Sequence, residues 1–319
     1  MRLPEEMRHA AWRPLAAPAP AERPIWRSAS RIGIALFLAA PGFSIAQQQG
    51  EGSWLGRRVV QKSSDFALRI EDQIVDRRRF ILFYRVEKVN GPWLWLNDEG
   101  KGVSGWVKAD QVVAFEEANS FFSERIRANR EDAFAYVMRA AIYQERKQLD
   151  SALVDYAVAI KLDPTHAWVY NNRGIAWTDK DEYDKAIADY TRAIAIDPDG
   201  AEVLYRRGLA WREMKQYAKA IADFELPVRA NPRLDEAYAA DAWLRITCPD
   251  PTYRDAKRAV ESAMRACKLM DWKDPYALST LAAAYTAAQD FTSASHWHKV
   301  AAELAAGAKD DKNRTRVKR

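Results

Sequence analysis

The residue types that most often carry catalysis are few in this chain and poorly placed for it. Four histidines occur among 319 residues, and two of them, His296 and His298, stand two residues apart. On a helix that spacing turns the rings about 200° from each other, so they cannot hold one metal ion together. The sequence has no glycine-rich phosphate loop, no G-x-S-x-G motif and no Cys-x-x-Cys pair. We therefore predict a protein that is not an enzyme and needs no metal or cofactor.

The two cysteines are the remaining candidates for chemistry. Cys248 and Cys267 are separated by 19 positions. If each ends one helix of an antiparallel pair, helices of about 13 residues put them roughly 20 Å apart. A disulfide needs Cα atoms within roughly 7 Å of each other. We predict that the two thiols are not bonded to each other.

The strongest pattern is a 34-residue period whose units end at Pro164, Pro198 and Pro232. Bulky and small side chains recur at fixed positions within each unit. The recurring sets are Tyr143, Trp177 and Trp211; Ala140, Gly174 and Gly208; Ala152, Ala186 and Ala220; and Tyr156, Tyr190 and Phe224. Small positions let two antiparallel helices approach closely while aromatic rings fill the space beside them. The period predicts an array of helical hairpins.

These positions resemble the W-x2-L-G-x2-Y, A-x3-F and P pattern of the tetratricopeptide repeat (TPR). The resemblance covers residues 133–234 and is carried mainly by segments 170–198 and 204–224. It implies a mainly α solenoid in which the first helix of each hairpin lines a concave groove that binds an extended peptide or a helix. Mapped onto this sequence, the groove residues are Phe134, Val137, Met138, Ala141, Trp168, Asn171, Asn172, Ile175, Thr178, Glu202, Tyr205, Arg206, Leu209 and Arg212.

Within that set, the expected partner-binding residues are Trp168, Asn171, Asn172, Tyr205, Arg206 and Arg212. Asparagine pairs with a peptide backbone, arginine with a carboxylate, and tryptophan supplies contact area. Some relatives clamp a terminal carboxylate, but Val137, Ala141 and Glu202 replace polar members of that clamp here. A receptor for chaperone tails is therefore not expected. The alternative that half of the groove positions serve only solubility stays open.

The array extends beyond these three units in both directions. A leading half repeat at 115–132 is indicated by Ala118, Phe122 and Ile126, which precede the second-helix pattern by one period. The full set of segments is 133–166, 167–200, 201–234, a divergent 235–274 with about two residues inserted in its turn, 275–306, and a disordered basic tail at 307–319. Pro227 predicts a kink or break near Leu226, because proline gives no backbone hydrogen bond.

Residues 52–114 change to short β-branched and aromatic runs, which predict a small β-barrel. The candidate strands are 58–61, 67–70, 80–86, 93–97 and 103–108. The closing stretch VSGWVKADQVV resembles the end of bacterial SH3-like domains, where a Gly-Trp-Val strand leads through a short turn into a final strand. Trp93 and Trp95 alternate onto one face, which Trp106 joins in one interpretation. These rings form a binding platform, or two of the three fill the barrel.

The first 46 residues predict an export signal, in which an arginine-bearing stretch precedes an apolar run that ends in Ser44-Ile45-Ala46. Cleavage after Ala46 leaves an exported periplasmic or cell-envelope protein with no stable membrane span. The alternative is a membrane anchor formed by an uncleaved signal. The formal charge of +5 does not indicate nucleic acid, because the excess of Lys and Arg lies in residues 1–46 and 307–319.

Two functions follow from these features. The first is a non-enzymatic scaffold that binds a protein or peptide partner in the repeat groove. The second is a cell-envelope protein in which the barrel binds cell-wall glycan or peptide and the repeats act as a stalk.

Overall fold

The computed structural model describes residues 54–70, 73–75, 83–98, 104–230 and 235–317. They belong to the second of two units into which the chain divides, residues 48–319. The predicted leader at 1–46 and its cleavage site lie outside the described residues. Within the described part, no helix is both long enough and apolar enough to cross a membrane.

Seven strands form one antiparallel sheet in the described part of the chain. They are β1 (Arg58–Gln61), β2 (Leu68–Ile70), β3 (Gln73–Val75), β4 (Tyr84–Asn90), β5 (Trp93–Asn97), β6 (Ser104–Lys108) and β7 (Val112–Ala114), in the order β3-β2-β6-β5-β4-β1-β7. The predicted strand, short turn and final strand correspond to β6, a 3-10 turn at Ala109–Gln111 and β7. The sequence missed β3, and it ended β4 too early.

Side-chain alternation along the central strands builds the core of the sheet. Leu94 and Leu96 on β5 and Val107 on β6 are buried together with Val59 and Val86. Because successive residues of a strand point to opposite faces, the residues between these apolar ones face away from this core. Gly91, with φ of +53°, makes the tight turn between β4 and β5.

Eleven helices follow the sheet in the described residues, in the predicted hairpin order. They are α1 (Phe115–Ala128), α2 (Ala133–Glu145), α3 (Leu149–Leu162), α4 (Ala167–Thr178), α5 (Tyr183–Ile196), α6 (Ala201–Glu213), α7 (Tyr217–Ala230), α8 (Asp235–Thr247), α9 (Ala256–Leu269), α10 (Pro275–Ala287) and α11 (Phe291–Val317). The mainly helical prediction is confirmed. Close approach at the small positions is visible too: a Cβ added to Gly174 would lie 2.6 Å from the ring of Tyr190.

Helix α1 is the second helix of a hairpin that lacks its first. Ala118, Phe122 and Ile126 are its buried residues, as the period predicts. Phe122 belongs to one apolar cluster with Val60 of β1 and Val113 of β7. The edge of the sheet therefore packs against α1. It covers the apolar surface of α1 that the first helix of a complete hairpin would cover.

Three boundaries differ from those that the sequence suggests. In the third unit, the second helix begins 16 residues after the first, at 217 against 201. In the fourth unit, it begins 21 residues after the first, at 256 against 235. The turn of the fourth unit therefore has five extra residues and not two. Helix α7 runs to Ala230, so the helix does not break at Pro227, and the kink near Leu226 stays a prediction; proline removes a single backbone hydrogen bond there. The backbone of α11 is helical to Val317, past the expected boundary at 307.

Candidate functional site

The first helices of successive hairpins, α2, α4, α6, α8 and α10, contact one another and line one continuous surface, the groove. In the second and third units, its predicted residues remain partly accessible: Trp168, Asn171, Asn172, Tyr205, Arg206 and Arg212 are all half-buried. The surface continues beyond them. Trp243 on α8 is 38% exposed and Tyr276 on α10 is 62% exposed. Both occupy groove positions that sequence reasoning missed: Trp243 stands one period after Leu209, in a unit whose groove residues were not mapped, and the long turn of the fourth unit shifts the period before Tyr276.

Tyr205 packs against an apolar cluster that the third and fourth units share, and its ring centre lies 6.1 Å from that of Phe224. The pKa of its phenol is raised, first by burial and then by the negative charge of Glu236 from the next unit. Arg206, Arg212 and Tyr276 also act electrostatically on this phenol. The pKa of Glu236 is raised by burial and by nearby Asp235 and Glu202. The centre of the groove is therefore aromatic, with acidic side chains beside it.

Both groove arginines have partners within the chain. Arg206 donates to Glu202 at 2.6 Å and Arg212 donates to Glu213 at 2.7 Å. A ligand carboxylate that pairs with either arginine, as the sequence predicts, must compete with these two glutamates. Arg206 still has one buried donor, Nε, with no hydrogen-bond partner, and Asn171 Oδ1 is a buried acceptor in the same condition.

The first unit does not contribute to the open groove as the family pattern implies. Val137, Met138 and Ala141 are at most 2% exposed. Met138 packs into the cluster that joins α1 to the sheet, and Val137 packs between the first and second units. The partly accessible groove therefore starts at Phe134 and Trp168 and runs towards α10.

A ladder of buried ion pairs fixes the first three groove helices, α2, α4 and α6, on their partner helices. Arg139, Arg173 and Arg207 each make two hydrogen bonds of 2.7–2.8 Å to an aspartate 16 residues later: Asp155, Asp189 and Asp223. The aspartates are 4–5% exposed. Two of the arginines also reach back to the previous unit, from Arg139 to Ser123 Oγ and from Arg207 to Thr191 Oγ1. Sequence reasoning missed the ladder because it followed side-chain volume and not charge, although both columns repeat every 34 residues.

On the sheet, all three predicted tryptophans lie on the face opposite Leu94, Leu96 and Val107. Trp93, Trp95 and Trp106 are half-buried, and the rings of Trp95 and Trp106 meet edge to face at 5.3 Å. Lys88 Nζ lies 5.6 Å from the centre of the Trp95 ring and Lys108 Nζ lies 5.7 Å from that of Trp93. The three rings are not part of the buried core of the sheet, which rules out the alternative in which two of them fill the barrel.

Both cysteine thiols are free and buried, in separate apolar clusters. Burial raises the pKa of Cys267 to about 12, with a further contribution from Asp274. The thiol of Cys267 is therefore not a ready nucleophile. In the part of the chain that the structure describes, no three His, Cys, Asp or Glu side chains are grouped to hold a metal ion.

Comparison with known proteins identifies the repeats. The family model for the tetratricopeptide repeat matches residues 167–199, which span α4 and α5. Residues 167–199 are therefore identified as one tetratricopeptide repeat, and the hairpins on either side share its period. No curated protein matches it.

Several solved structures are similar to part of this chain. PilW, a type IV pilus biogenesis factor, is 18% identical with a TM-score of 0.50, over 57% of this chain and 82% of that one. YrrB, a TPR protein with an unusual peptide-binding site, is 21% identical with a TM-score of 0.47, over 59% and 97%. The Arabidopsis OM64 TPR domain is 30% identical with a TM-score of 0.35, over 36% and 95%. At this identity, the likeness to PilW establishes fold and not activity.

The fourth TPR departs from the charge ladder. Asp241 stands one period after Arg207, and Ser262 occupies the place of Asp223 on the second helix. Ser262 Oγ donates to Asp241 at 2.6 Å, and Arg245, one turn later, joins Asp241 to Glu225 with bonds of 2.8 Å each. The pKa of Asp241 is raised by its burial, against the opposing effects of Ser262 and Arg245. The acid of this reversed pair, Asp241 with Ser262, lies on the first helix instead of the second. A pocket of 340 Å³ opens beside the reversed pair.

Proposed function

We propose that this protein is an exported, non-enzymatic scaffold that holds a protein or peptide partner in the groove of its TPRs. Proteins built from stacked TPRs generally act by binding other proteins along this surface. The observation that carries the proposal is the set of accessible aromatic side chains on successive first helices: Tyr205 packs half-buried between the third and fourth units, and Trp243 and Tyr276 are exposed. An aromatic centre with a polar rim is the composition that protein interfaces favour.

Further groove features support a peptide segment as the bound form. Trp243 and Tyr276 keep large exposed apolar surfaces in line with Trp168 and Tyr205. Large aromatic side chains of this kind dominate binding energy at interfaces. Asn171 Oδ1 and Arg206 Nε have no hydrogen-bond partner within the chain and are buried, so a peptide backbone pairs with them only after these side chains move.

Affinity capture from the source cells tests the groove. A Trp168→Ala, Arg206→Ala variant is expected to lose the partner that the wild type retains, because it removes contact area and a polar anchor together. The matched control is Val154→Ala, which shortens a 63% exposed side chain on α3. The groove assignment is wrong if the double variant and the wild type capture the same proteins.

Export is part of the proposal and rests on the leader at 1–46. Mass spectrometry of the protein purified from its own cells is expected to find Gln47 as the first residue. An intact leader on membrane-associated protein would favour the uncleaved anchor. Binding of nucleic acid is not part of the proposed function, because the basic excess lies in the terminal segments.

A second function, binding of cell-wall polymer by an SH3-like sheet, is favoured by one observation. Trp93, Trp95 and Trp106 share the face that points away from the sheet core. In this alternative, the full-length protein sediments with purified cell walls, and Trp95→Ala with Trp106→Ala abolishes sedimentation while leaving partner capture by the TPR groove unchanged.

A further inference from the structure

We propose that the tryptophan face of the sheet binds an acidic polysaccharide that lies across its strands. The inference rests on the second function above and specifies its ligand class. It is carried by the register of four neighbouring strands together with the charges at the two ends of the row that this register makes.

One cross-strand row contains two cations and two tryptophans. Arg69 on β2 pairs with Trp106 on β6, Trp106 pairs with Trp95 on β5, and Trp95 pairs with Lys88 on β4. Directly paired residues of neighbouring strands project from the same face. The row therefore reads Arg69, Trp106, Trp95, Lys88 from one side to the other, with aromatic surface in the middle and positive charge at both ends.

The length of the row suits several sugar units. Neighbouring strands lie about 4.8 Å apart, so the backbones of Arg69 and Lys88, three strands apart, are separated by roughly 14 Å. A second row beside it pairs Lys108 on β6 with Trp93 on β5. The two rows make a platform on which a chain of rings contacts indole surface while its acidic groups meet a cation at either end.

The cations on this face are not neutralised by the described part of the chain. Arg69, Lys88 and Lys108 are exposed, and no carboxylate among the described residues forms an ion pair with any of them. Glu87 keeps its negative charge, since its partner is the neutral amide of Asn97 at 2.9 Å, but Arg69, Lys88 and Lys108 outnumber this carboxylate. Charge complementarity therefore favours an anionic ligand over a neutral one.

The positions of the lysines distinguish a sugar from a nucleobase. Lys88 and Lys108 each lie over a tryptophan ring, of Trp95 and Trp93 respectively. A base that stacks flat on either ring must displace the ammonium group from that ring face. The carboxylate of an acidic sugar pairs with the ammonium group where it stands, while the apolar side of the sugar ring packs on the edges of Trp95 and Trp106.

Binding of the full-length protein to polygalacturonate, measured by calorimetry, tests the proposal. Dextran serves as the neutral polysaccharide, poly-glutamate as the acidic peptide and oligo(dT) as the single-stranded nucleic acid. We expect polygalacturonate to bind most tightly, with affinity falling as salt rises because exposed ion pairs are screened. Arg69→Gln with Lys88→Gln is expected to weaken binding by about tenfold, and Trp95→Ala with Trp106→Ala by more.

Lys219→Gln is the matched control. Lys219 Nζ also lies over a tryptophan, 4.3 Å from the centre of the Trp211 ring, but this pair is on α6 and α7 and not on the sheet. It is expected to leave polygalacturonate binding unchanged. Equal weakening by Lys219→Gln would overturn the assignment of the site to the sheet.

The outcomes separate the ligand class from the second function itself. Dextran binding as tightly as polygalacturonate overturns the acidic class but keeps a polysaccharide site. Tighter binding of poly-glutamate or oligo(dT) overturns the polysaccharide. If none of the four polymers binds, and wild-type protein does not sediment with cell walls, both the inference and the second function fail, while the TPR groove is unaffected.

Discussion

At the scale of single residues, the ladder of Arg–Asp pairs matters most for the geometry of the groove. Arg173 binds Asp189 through two nitrogens, and the aspartate is 5% exposed. Two parallel hydrogen bonds between planar groups fix orientation as well as distance. The pair therefore holds α4, which bears Trp168 and Asn171, at a set angle on α5.

Replacing Asp189 with alanine tests this role. The change leaves the guanidinium of Arg173 without its partner, and we expect the free energy of unfolding to fall by about 3 kcal/mol, as for other broken buried pairs. Urea denaturation followed by circular dichroism measures the loss. Glu182→Ala, which breaks the exposed pair with Lys185 at 3.3 Å, is the control and should cost under about 0.5 kcal/mol. Equal losses in both variants would show that the ladder contributes no more than surface charge.

The reversed pair of the fourth TPR makes a prediction about pH. The pKa of Asp241 in the folded protein is raised above its usual value of 3.8 by burial. The folded state then holds this proton more tightly than the unfolded state. The stabilisation is complete below pH 3.8 and is lost as pH rises through the folded-state pKa. We expect Asp241→Asn to remove this fall in the free energy of unfolding, measured by urea denaturation from pH 3.5 upwards. An unchanged pH profile in the variant would contradict the raised pKa.

At the scale of elements, side-chain volume predicts much of the fold. The period places α1 at the observed bounds, because Ala118, Phe122 and Ile126 repeat the apolar face of the later second helices. The 34-residue period does not predict what covers α1, since the strands of the sheet that packs there alternate every two residues and do not follow the helical repeat. The fourth turn was misjudged because Ala263 replaces the aromatic residue that marks the column in earlier units.

Packing of the sheet on α1 predicts that the two parts unfold together. Phe122 is fully buried between Val60, Val113 and the first hairpin. We expect Phe122→Ala to cost about 3–5 kcal/mol and to separate unfolding of the sheet from that of the helices. Hydrogen exchange followed by mass spectrometry at rising temperature, which resolves peptides of β1–β7 from peptides of α2–α11, should then give two midpoints where the wild type gives one. The control, Phe291→Ala, shortens a 66% exposed ring and should keep coincident transitions.

At the scale of the whole molecule, the described chain offers two separate surfaces on one scaffold. The TPR groove has an aromatic centre with acidic side chains beside it, and the sheet presents tryptophans flanked by cations. The sequence predicts both sets of aromatic residues, because each follows the period of its own element. It does not predict their electrostatics, since the pairing of Arg206 and Arg212 with nearby glutamates depends on side-chain positions.

The central claim is that a partner lies in the TPR groove, and site-specific photo-crosslinking in the source cells tests it most directly. A photoreactive phenylalanine analogue replaces Tyr276, 62% exposed in the groove, or Val154, 63% exposed on α3. These sites match in exposure and differ in surface. We predict a discrete crosslinked product from position 276 and none from position 154. The same product from both positions, or a product from position 154 alone, would contradict binding in the groove.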